Sequence, residues 1–150
     1  MVVNIYNEYI GVLHIHSSYS DGSGKIKHII KQAQKAHLDF IVITDHNNLL
    51  GMKNGYEGWY DNLLVLIGEE IGNRGDEHYL ALGINEPIKP EVYRHNAEKY
   101  ISAVKSQGGI GFAAHPNHLK NSYFNFEVSP WFSFENPDYT GIEIWSYMYD

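Results

Sequence analysis

The sequence predicts a single α/β domain built on a largely parallel sheet or barrel, and three observations predict it. Short runs of apolar, β-branched residues, FIVIT at 40–44 and LLVLI at 63–67, are typical of strands buried on both faces. Segments with apolar residues at helical spacing lie among such runs, the alternation of a βα architecture. One strand candidate after another also ends in histidine, aspartate or glutamate, at the place where α/β barrels assemble their active sites.

Taken in order, Tyr9 to Leu13 reads as the first strand and runs into His14-Ile15-His16. From Lys25 to Ala36, Ile26, Ile29, Ile30 and Ala33 recur at i, i+3, i+4 and i+7 with lysines between them, an amphipathic helix. Phe40 to Thr44, Leu63 to Ile67 and Tyr79 to Ile84 are the next strands. Pro90 opens a second helix at the first-turn position that proline tolerates. Its apolar face is Tyr93, Ala97, Tyr100, Ile101 and Val104, and it stops at Gly108-Gly109. Ile110 to Ala114 and Ile142 to Trp145 bring the strand candidates to six. Seven residues separate Glu70 from His78, too few for a parallel crossover, which needs about a dozen. The strand starting near His78 is therefore expected to run antiparallel to the one ending near Glu70, making those two residues neighbours.

Composition narrows the function classes. The 150 residues, 43% hydrophobic and 19% charged, suit one soluble globular domain over 1–150. No run approaches the roughly 18 apolar residues of a membrane span. The start, MVVNIYNEYIG, has neither the basic region nor the long apolar stretch of a signal peptide, so a cytoplasmic location is expected. Cysteine is absent, which removes disulfides and thiolate metal sites. The net charge of −7 and the lack of any Lys/Arg cluster argue against a nucleic-acid interface. Nine histidines point instead to metal, since neutral imidazole is the commonest ligand.

Four clusters carry the chemistry. In His14-Ile15-His16 the two imidazoles share one face of an extended segment and can reach one ion, while the turn at Ser20-Asp21-Gly22 can return Asp21 as an oxygen ligand. Thr44-Asp45-His46 offers His46 as a ligand and Asp45 as a group that orients a neighbouring imidazole. In Gly68-Glu69-Glu70 the two carboxylates face opposite ways on a strand. One points inward to bridge cations, and the other is left as a solvated loop residue. In Ala113-Ala114-His115-Pro116, the proline ends strand pairing behind His115. Gly109 to Ala114 matches GxGxxA, but it lies inside a strand and meets His115-Pro116 where a dinucleotide fold would begin a helix. His28 and His95 fall within the helices as surface groups.

In this order, these elements resemble the polymerase-and-histidinol-phosphatase (PHP) family of metallohydrolases, whose pattern runs HxHSxxSDG, TDHN, GxE, a following His, and AHP. The resemblance spans positions 9 to 116 and implies a distorted seven-stranded (β/α) barrel with up to three metals at the strand C-termini. His14, His16 and Glu70 would serve the first metal, Glu70, His78 and His115 the second, and Asp21 and His46 the third. The GxE spacing selects Glu70 over Glu69. A last family motif resembling GSDAH is not found before Asp150, which implies a truncated or short member. Such a barrel would lack its last strand, and its first and third sites would each be one ligand short. His37 stands where the family has glycine, with a helix-end role.

The expected function is that of a metal-dependent hydrolase, foremost a phosphoesterase acting on a small phosphorylated substrate. Two or three divalent ions would activate water and neutralise phosphoryl charge. Nitrogen and oxygen ligands without thiolate suit Zn, Mn or Fe alike. Arg74, between Glu70 and His78, is a candidate to grip phosphate. Lys120, close behind His115 with His118, is a candidate to line the pocket. For each, a solvated loop residue is the plainer alternative. The same cluster would also serve an amide or ester hydrolase, and a metal-binding domain without turnover is the reading from a different class.

Overall fold

The apolar runs fold as short strands, and their alternation decides which face meets which layer. The computed structural model describes residues 6–116 and 131–144. Within them the order is β1 (Gly11–Val12), α1 (Ile26–Lys35), β2 (Phe40–Ile43), α2 (Leu50–Lys53), β3 (Gly58–Tyr60), β4 (Leu63–Ile67), β5 (Glu69–Ile71), β6 (Tyr79–Leu82), α3 (Ala97–Ser106), β7 (Ile110–Ala113) and β8 (Gly141–Ile142).

The strands form two four-stranded sheets, ordered β1-β2-β4-β3 and β5-β6-β7-β8, and no closed barrel among the described residues. The expected seven-stranded barrel lacking its last strand is not confirmed among these residues, and the pairing is mixed where a largely parallel one was expected. Parallel pairing holds for β1-β2, β2-β4 and β7-β8, whereas β3-β4, β5-β6 and β6-β7 are antiparallel. The physical reason is connection length. Only Asp61 and Asn62 join β3 to β4, and seven residues join β5 to β6, so both returns are hairpins. The antiparallel turn expected between Glu70 and His78 is therefore present, with Glu70 opposite Leu80.

Alternate residues pack on alternate faces, as a pleat requires. Ile41, Ile43, Val65 and Ile67 join Ile26, Ile30 and Ala33 of α1 in the larger core, which also takes in Tyr79, Ala81 and Ala113 with Tyr100, Ile101 and Val104 of α3. The other set, Val42, Leu80, Leu82 and Ala114 with Phe40, Leu66 and Phe112, forms a smaller cluster drawn from both sheets. The two sheets are joined where β4 passes through Gly68 into β5. A Cβ at Gly68 would lie 2.4 Å from the Ala81 carbonyl oxygen, so only glycine allows the crossing strand so close.

Three further local differences have plain causes. The segment opened by Pro90 is a turn, and α3 starts at Ala97, because Arg94 and His95 adopt left-handed φ values of 57° and 52°. Asn96 then caps the helix by accepting the Lys99 N–H at 3.1 Å. His95 consequently lies before the helix, bonded through Nδ1 to Asp76 at 2.7 Å. β3 and α2 were not expected; the longer of them has four residues, too short for periodicity to register, and the strand expected to end near Glu70 is divided into β4 and β5. No helix among the described residues is long and apolar enough to cross a membrane.

His37 takes the helix-end role expected of it, with φ 55° just beyond α1. A histidine there carries left-handed strain of about 1–2 kcal/mol. His37→Gly is expected to raise stability by about 1 kcal/mol in urea unfolding, less the entropy glycine adds to the unfolded chain. Ile41→Ala, at a fully buried position, is expected to lower it by about 2–5 kcal/mol in the same measurement.

Candidate metal centre

Every candidate ligand reaches one end of the paired sheets, for reasons visible in the topology. His14 and His16 follow β1, His46 follows β2, Glu70 lies on β5 and His115 follows β7. His78 precedes its strand. Since β6 runs opposite to β5 and β7, its start lies beside their ends, and the Ala114 N–H bonds the His78 carbonyl at 3.0 Å. An isolated parallel bridge between His46 and Glu70 closes the seam between the two sheets.

Glu70 is the hub. It is 1% exposed, and its two oxygens divide the histidines between them. Oε2 lies 3.0 Å from His14 Nε2, 2.9 Å from His16 Nε2 and 3.5 Å from His46 Nε2. Oε1 lies 2.8 Å from His78 Nδ1 and 2.9 Å from His115 Nε2. Asp21, exposed at the rim, approaches His16 Nδ1 at 3.1 Å and His46 Nε2 at 3.6 Å. The turn that carries it folds back tightly: a Cβ at Gly22 would sit 2.2 Å from the His16 carbonyl oxygen. All seven residues expected as ligands are thus brought together.

The sequence was less informative about the groups around them. Asp45 is buried but holds no imidazole directly. It accepts the Ser17 N–H at 2.7 Å, the Ser17 hydroxyl at 2.6 Å and the Ser20 hydroxyl at 2.7 Å. It therefore fixes the turn bearing Asp21, and reaches a ring only through Ser20 Oγ, 3.4 Å from His16 Nδ1. Glu69 is not the solvated loop carboxylate expected. β5 is buried on both faces, so Glu69 points away from the cluster into the core and accepts the Ile88 N–H at 2.6 Å. Glu143 was missed altogether. Its Oε1 lies 3.0 Å from His14 Nδ1 and its Oε2 accepts the His115 backbone N–H at 2.7 Å. The signal was there: Gly141-Ile142-Glu143 repeats the pattern of a strand ending in a carboxylate. Arg74 is exposed in the β5–β6 loop, while Lys120 and His118 lie outside the described residues.

Charge in this part-buried cluster is balanced by contact. Burial pushes the Glu70 carboxyl up, but His14, His115 and His16 outweigh it and hold it well below the usual range. Burial would lower His14, yet Glu70 and Glu143 beside it raise its pKa to about 10. His78 is likewise lowered by burial and raised overall by Glu70. His46 goes the other way, because burial together with His16 and His78 outweighs Glu70 and Asp21 and lowers its pKa. Burial pushes Glu69 up to about 7.

The donor set fits divalent cations. His14 Nε2, His16 Nε2 and Glu70 Oε2 are mutually 2.9–3.0 Å apart. Neighbouring ligands at right angles around one ion, each bound at about 2.0–2.1 Å, are spaced by about that much. Among the described residues, three groups could hold an ion: His14, His16 and Glu70; His16, Asp21 and His46; and His46, Glu70 and His78. The first matches the ligand set expected from the sequence. The second adds His16 to Asp21 and His46. The third places His46 with Glu70 and His78, while His115 approaches the same Glu70 oxygen.

Comparison with known proteins shows the family and the fold. The PHP domain model matches residues 13–128. The chain belongs to the PHP domain family. An uncharacterized protein of Methanocaldococcus jannaschii is 32% identical to this PHP domain over 117 residues, which cover 69% of this chain and 66% of that protein. The match thus spans just under two thirds of that relative. A candidate metal-dependent phosphoesterase from Bifidobacterium adolescentis shares the fold with a TM-score of 0.63 at 18% identity, covering 91% of this chain and 77% of its own. A two-domain protein from Bacteroides vulgatus, containing a predicted PHP-like metal-dependent phosphoesterase, gives 0.62 at 19% identity, with 91% of this chain and 44% of the other covered.

The raised His14 pKa makes a pH prediction for the chelator-treated protein. A proton bound more tightly in the folded state stabilises below the unfolded pKa of about 6.5, and that stabilisation is lost as pH rises toward about 10. Glu143→Gln removes one of the two carboxylates that raise His14. The alkaline loss of stability, followed by thermal unfolding across pH, is expected to move to lower pH in this variant.

Proposed function

We propose that this PHP domain hydrolyses a phosphoester of a small phosphorylated molecule, using two or three divalent cations held by His14, His16, Asp21, His46, Glu70, His78 and His115. One observation carries the reading: a buried carboxylate, Glu70, with imidazoles of five histidines within 3.5 Å of its oxygens. Such a carboxylate is costly to bury unless positive charge surrounds it. Imidazoles whose ring nitrogens converge on it are suited to ligate the cations that would bring that charge.

Cations bound there would supply Lewis-acid chemistry, activating water and offsetting charge on phosphoryl oxygens. The chain's own residues do the positioning. Glu70 turns one oxygen toward His14 and His16 and the other toward His78 and His115. Glu143 holds His14 through Nδ1, leaving Nε2 to face the cluster. Asp21, 68% exposed in its side chain, sits on the open side, where a substrate enters. Arg74 and Lys120 are proposed to bind the substrate's phosphate. Mixed nitrogen and oxygen donors suit Zn, Mn or Fe. The phosphoesterase descriptions of the two fold relatives are the reason for setting a phosphoester ahead of an amide.

The test is hydrolysis of p-nitrophenyl phosphate, a phosphodiester and an amide side by side, with Mn, Zn or Fe supplied. Phosphoester turnover abolished by chelator and restored by the cation is expected. Glu70→Gln is expected to reduce it by more than the roughly 100-fold seen when a group that merely supports a ligand is lost. Turnover of the amide alone, or bound cations with no turnover of any substrate, would replace the reading.

A further inference from the structure

Arg74 stands at the tip of a turn with little rigidity of its own. The Asp76 N–H bonds the Asn73 carbonyl at 2.9 Å, closing a four-residue turn over Asn73, Arg74, Gly75 and Asp76. Gly75 has φ 88°, as the third residue of a type II turn requires, and a Cβ there would meet nothing within 4 Å. Gly72, just before the turn, has φ 134°. Two glycines so close together leave a loop many backbone states to choose from, and Arg74 between them is exposed. On its inner side the loop is tied to the residue after His46. The Asn47 amide donates to the Gly72 carbonyl and to Asn73 Oδ1, each at 3.0 Å, and accepts the Gly72 N–H at 3.0 Å.

The two feet of the turn are gripped from outside by the segment that Pro90 opens. Glu91 Oε1 accepts the Asn73 side-chain amide at 3.0 Å. His95 Nδ1 lies 2.7 Å from Asp76 Oδ2, the oxygen that also accepts the Asn73 N–H at 2.8 Å. Lys89 adds a third tie, with Nζ donating to the Asn47 carbonyl at 2.8 Å. The gripping segment is itself held in an unfavourable shape. Arg94 and His95 both lie in the left-handed region, where a side chain crowds its own backbone. Such backbone persists only where the surrounding contacts over-determine it. Here the His95 N–H bonds the Pro90 carbonyl at 3.0 Å, Asn96 caps the helix that follows, and the His95 ring is engaged by Asp76.

We propose that Glu91 and His95 are positioning residues that clasp the feet of the 73–76 turn and so fix where Arg74 meets the phosphate of the substrate. The role in phosphate binding rests on the proposed function above; the clasp itself does not. Its effect is entropic. A free loop must be ordered when the ligand arrives, which lowers affinity, whereas a clasped loop is ordered beforehand. Arg74 would hold the phosphate in the ground state and the transition state alike. Loss of the clasp is therefore expected to raise KM and leave kcat nearly unchanged.

The experiment compares wild type, the double variant Glu91→Ala/His95→Gly, Arg74→Ala and the triple variant combining them. Glycine at position 95 accepts the left-handed backbone, so only the ring is lost. The first readout is amide hydrogen exchange at Asn73 and Asp76, by NMR on chelator-treated protein. Exchange is expected to be about tenfold faster without the clasp. The second is kcat and KM for p-nitrophenyl phosphate with Mn supplied. KM is expected to rise about 5-fold in the double variant and in Arg74→Ala, and no further in the triple variant than in Arg74→Ala. Glu91→Gln keeps an oxygen for the Asn73 amide and is expected to match wild type. Unchanged exchange at both amides would overturn the proposal, as would KM increases that multiply in the triple variant. So would a fall in kcat with KM unaltered. Wild type without phosphoester turnover would remove the phosphate role together with the proposed function, and the exchange rates would then decide the clasp by themselves. Should the double variant fail to fold, Glu91→Ala alone carries the same readouts.

Discussion

A single buried carboxylate constrains the whole molecule. Removing an ion from water costs several kcal/mol even after the protein relaxes, so Glu70 requires compensating charge from every direction it faces. The fold meets this by bringing five imidazoles from four separate segments to its two oxygens, with Glu143 balancing the positive charge that His14 then carries. Divalent cations would meet the same requirement more completely, because they bring charge where the imidazoles bring lone pairs. The unusual electrostatics of the cluster, with Glu70 pushed down while burial acts to raise it, follow from this one placement.

The architecture can be understood as the means of placing that carboxylate. β5 continues from β4 across Gly68, so one continuous chain segment belongs first to one sheet and then to the other. Glu70 sits just after this crossing, on the face it shares with Leu80, while Glu69 turns into the larger core. The reversal of β6 matters equally. Run parallel to β5, β6 would place His78 at the opposite end of the sheet. Beneath the site, Val42, Leu80 and Ala114 from both sheets form an apolar floor, which excludes water from below and strengthens each polar contact above it.

Around the candidate ligands lie further polar groups, and they share a habit. Asp45 ties the turn that bears Asp21, Glu143 spans His14 and the backbone of His115, and Asn47 spans His46 and the loop before His78. Each joins two ligand-bearing segments that are remote in sequence. Fixing side chains that project from loops costs conformational entropy, and paired ties of this kind hold two segments with one side chain. The precision of the centre therefore depends on residues that would themselves touch no cation.

The chain's own pattern determined most of the residues that meet in the cluster. HxH needs only the two-residue pleat, and the Glu70–His78 pairing needs only a connection too short to cross over; both are local constraints, and both are found in the fold. The apolar runs at 40–44 and 63–67 likewise declared themselves as interior strands. What tertiary structure alone decided was everything that depends on which segments become neighbours. The pairing of the described strands into two four-stranded sheets, the burial of Glu69, the turn where Pro90 promised a helix, and the places of Glu143, Asp45 and Asn47 all belong to this class. Their partners lie 25 or more residues away in several cases, as with Glu143 and His14. Periodicity reports only what a residue's near neighbours demand, whereas a hydrogen bond across such a distance exists only once the sheets have paired.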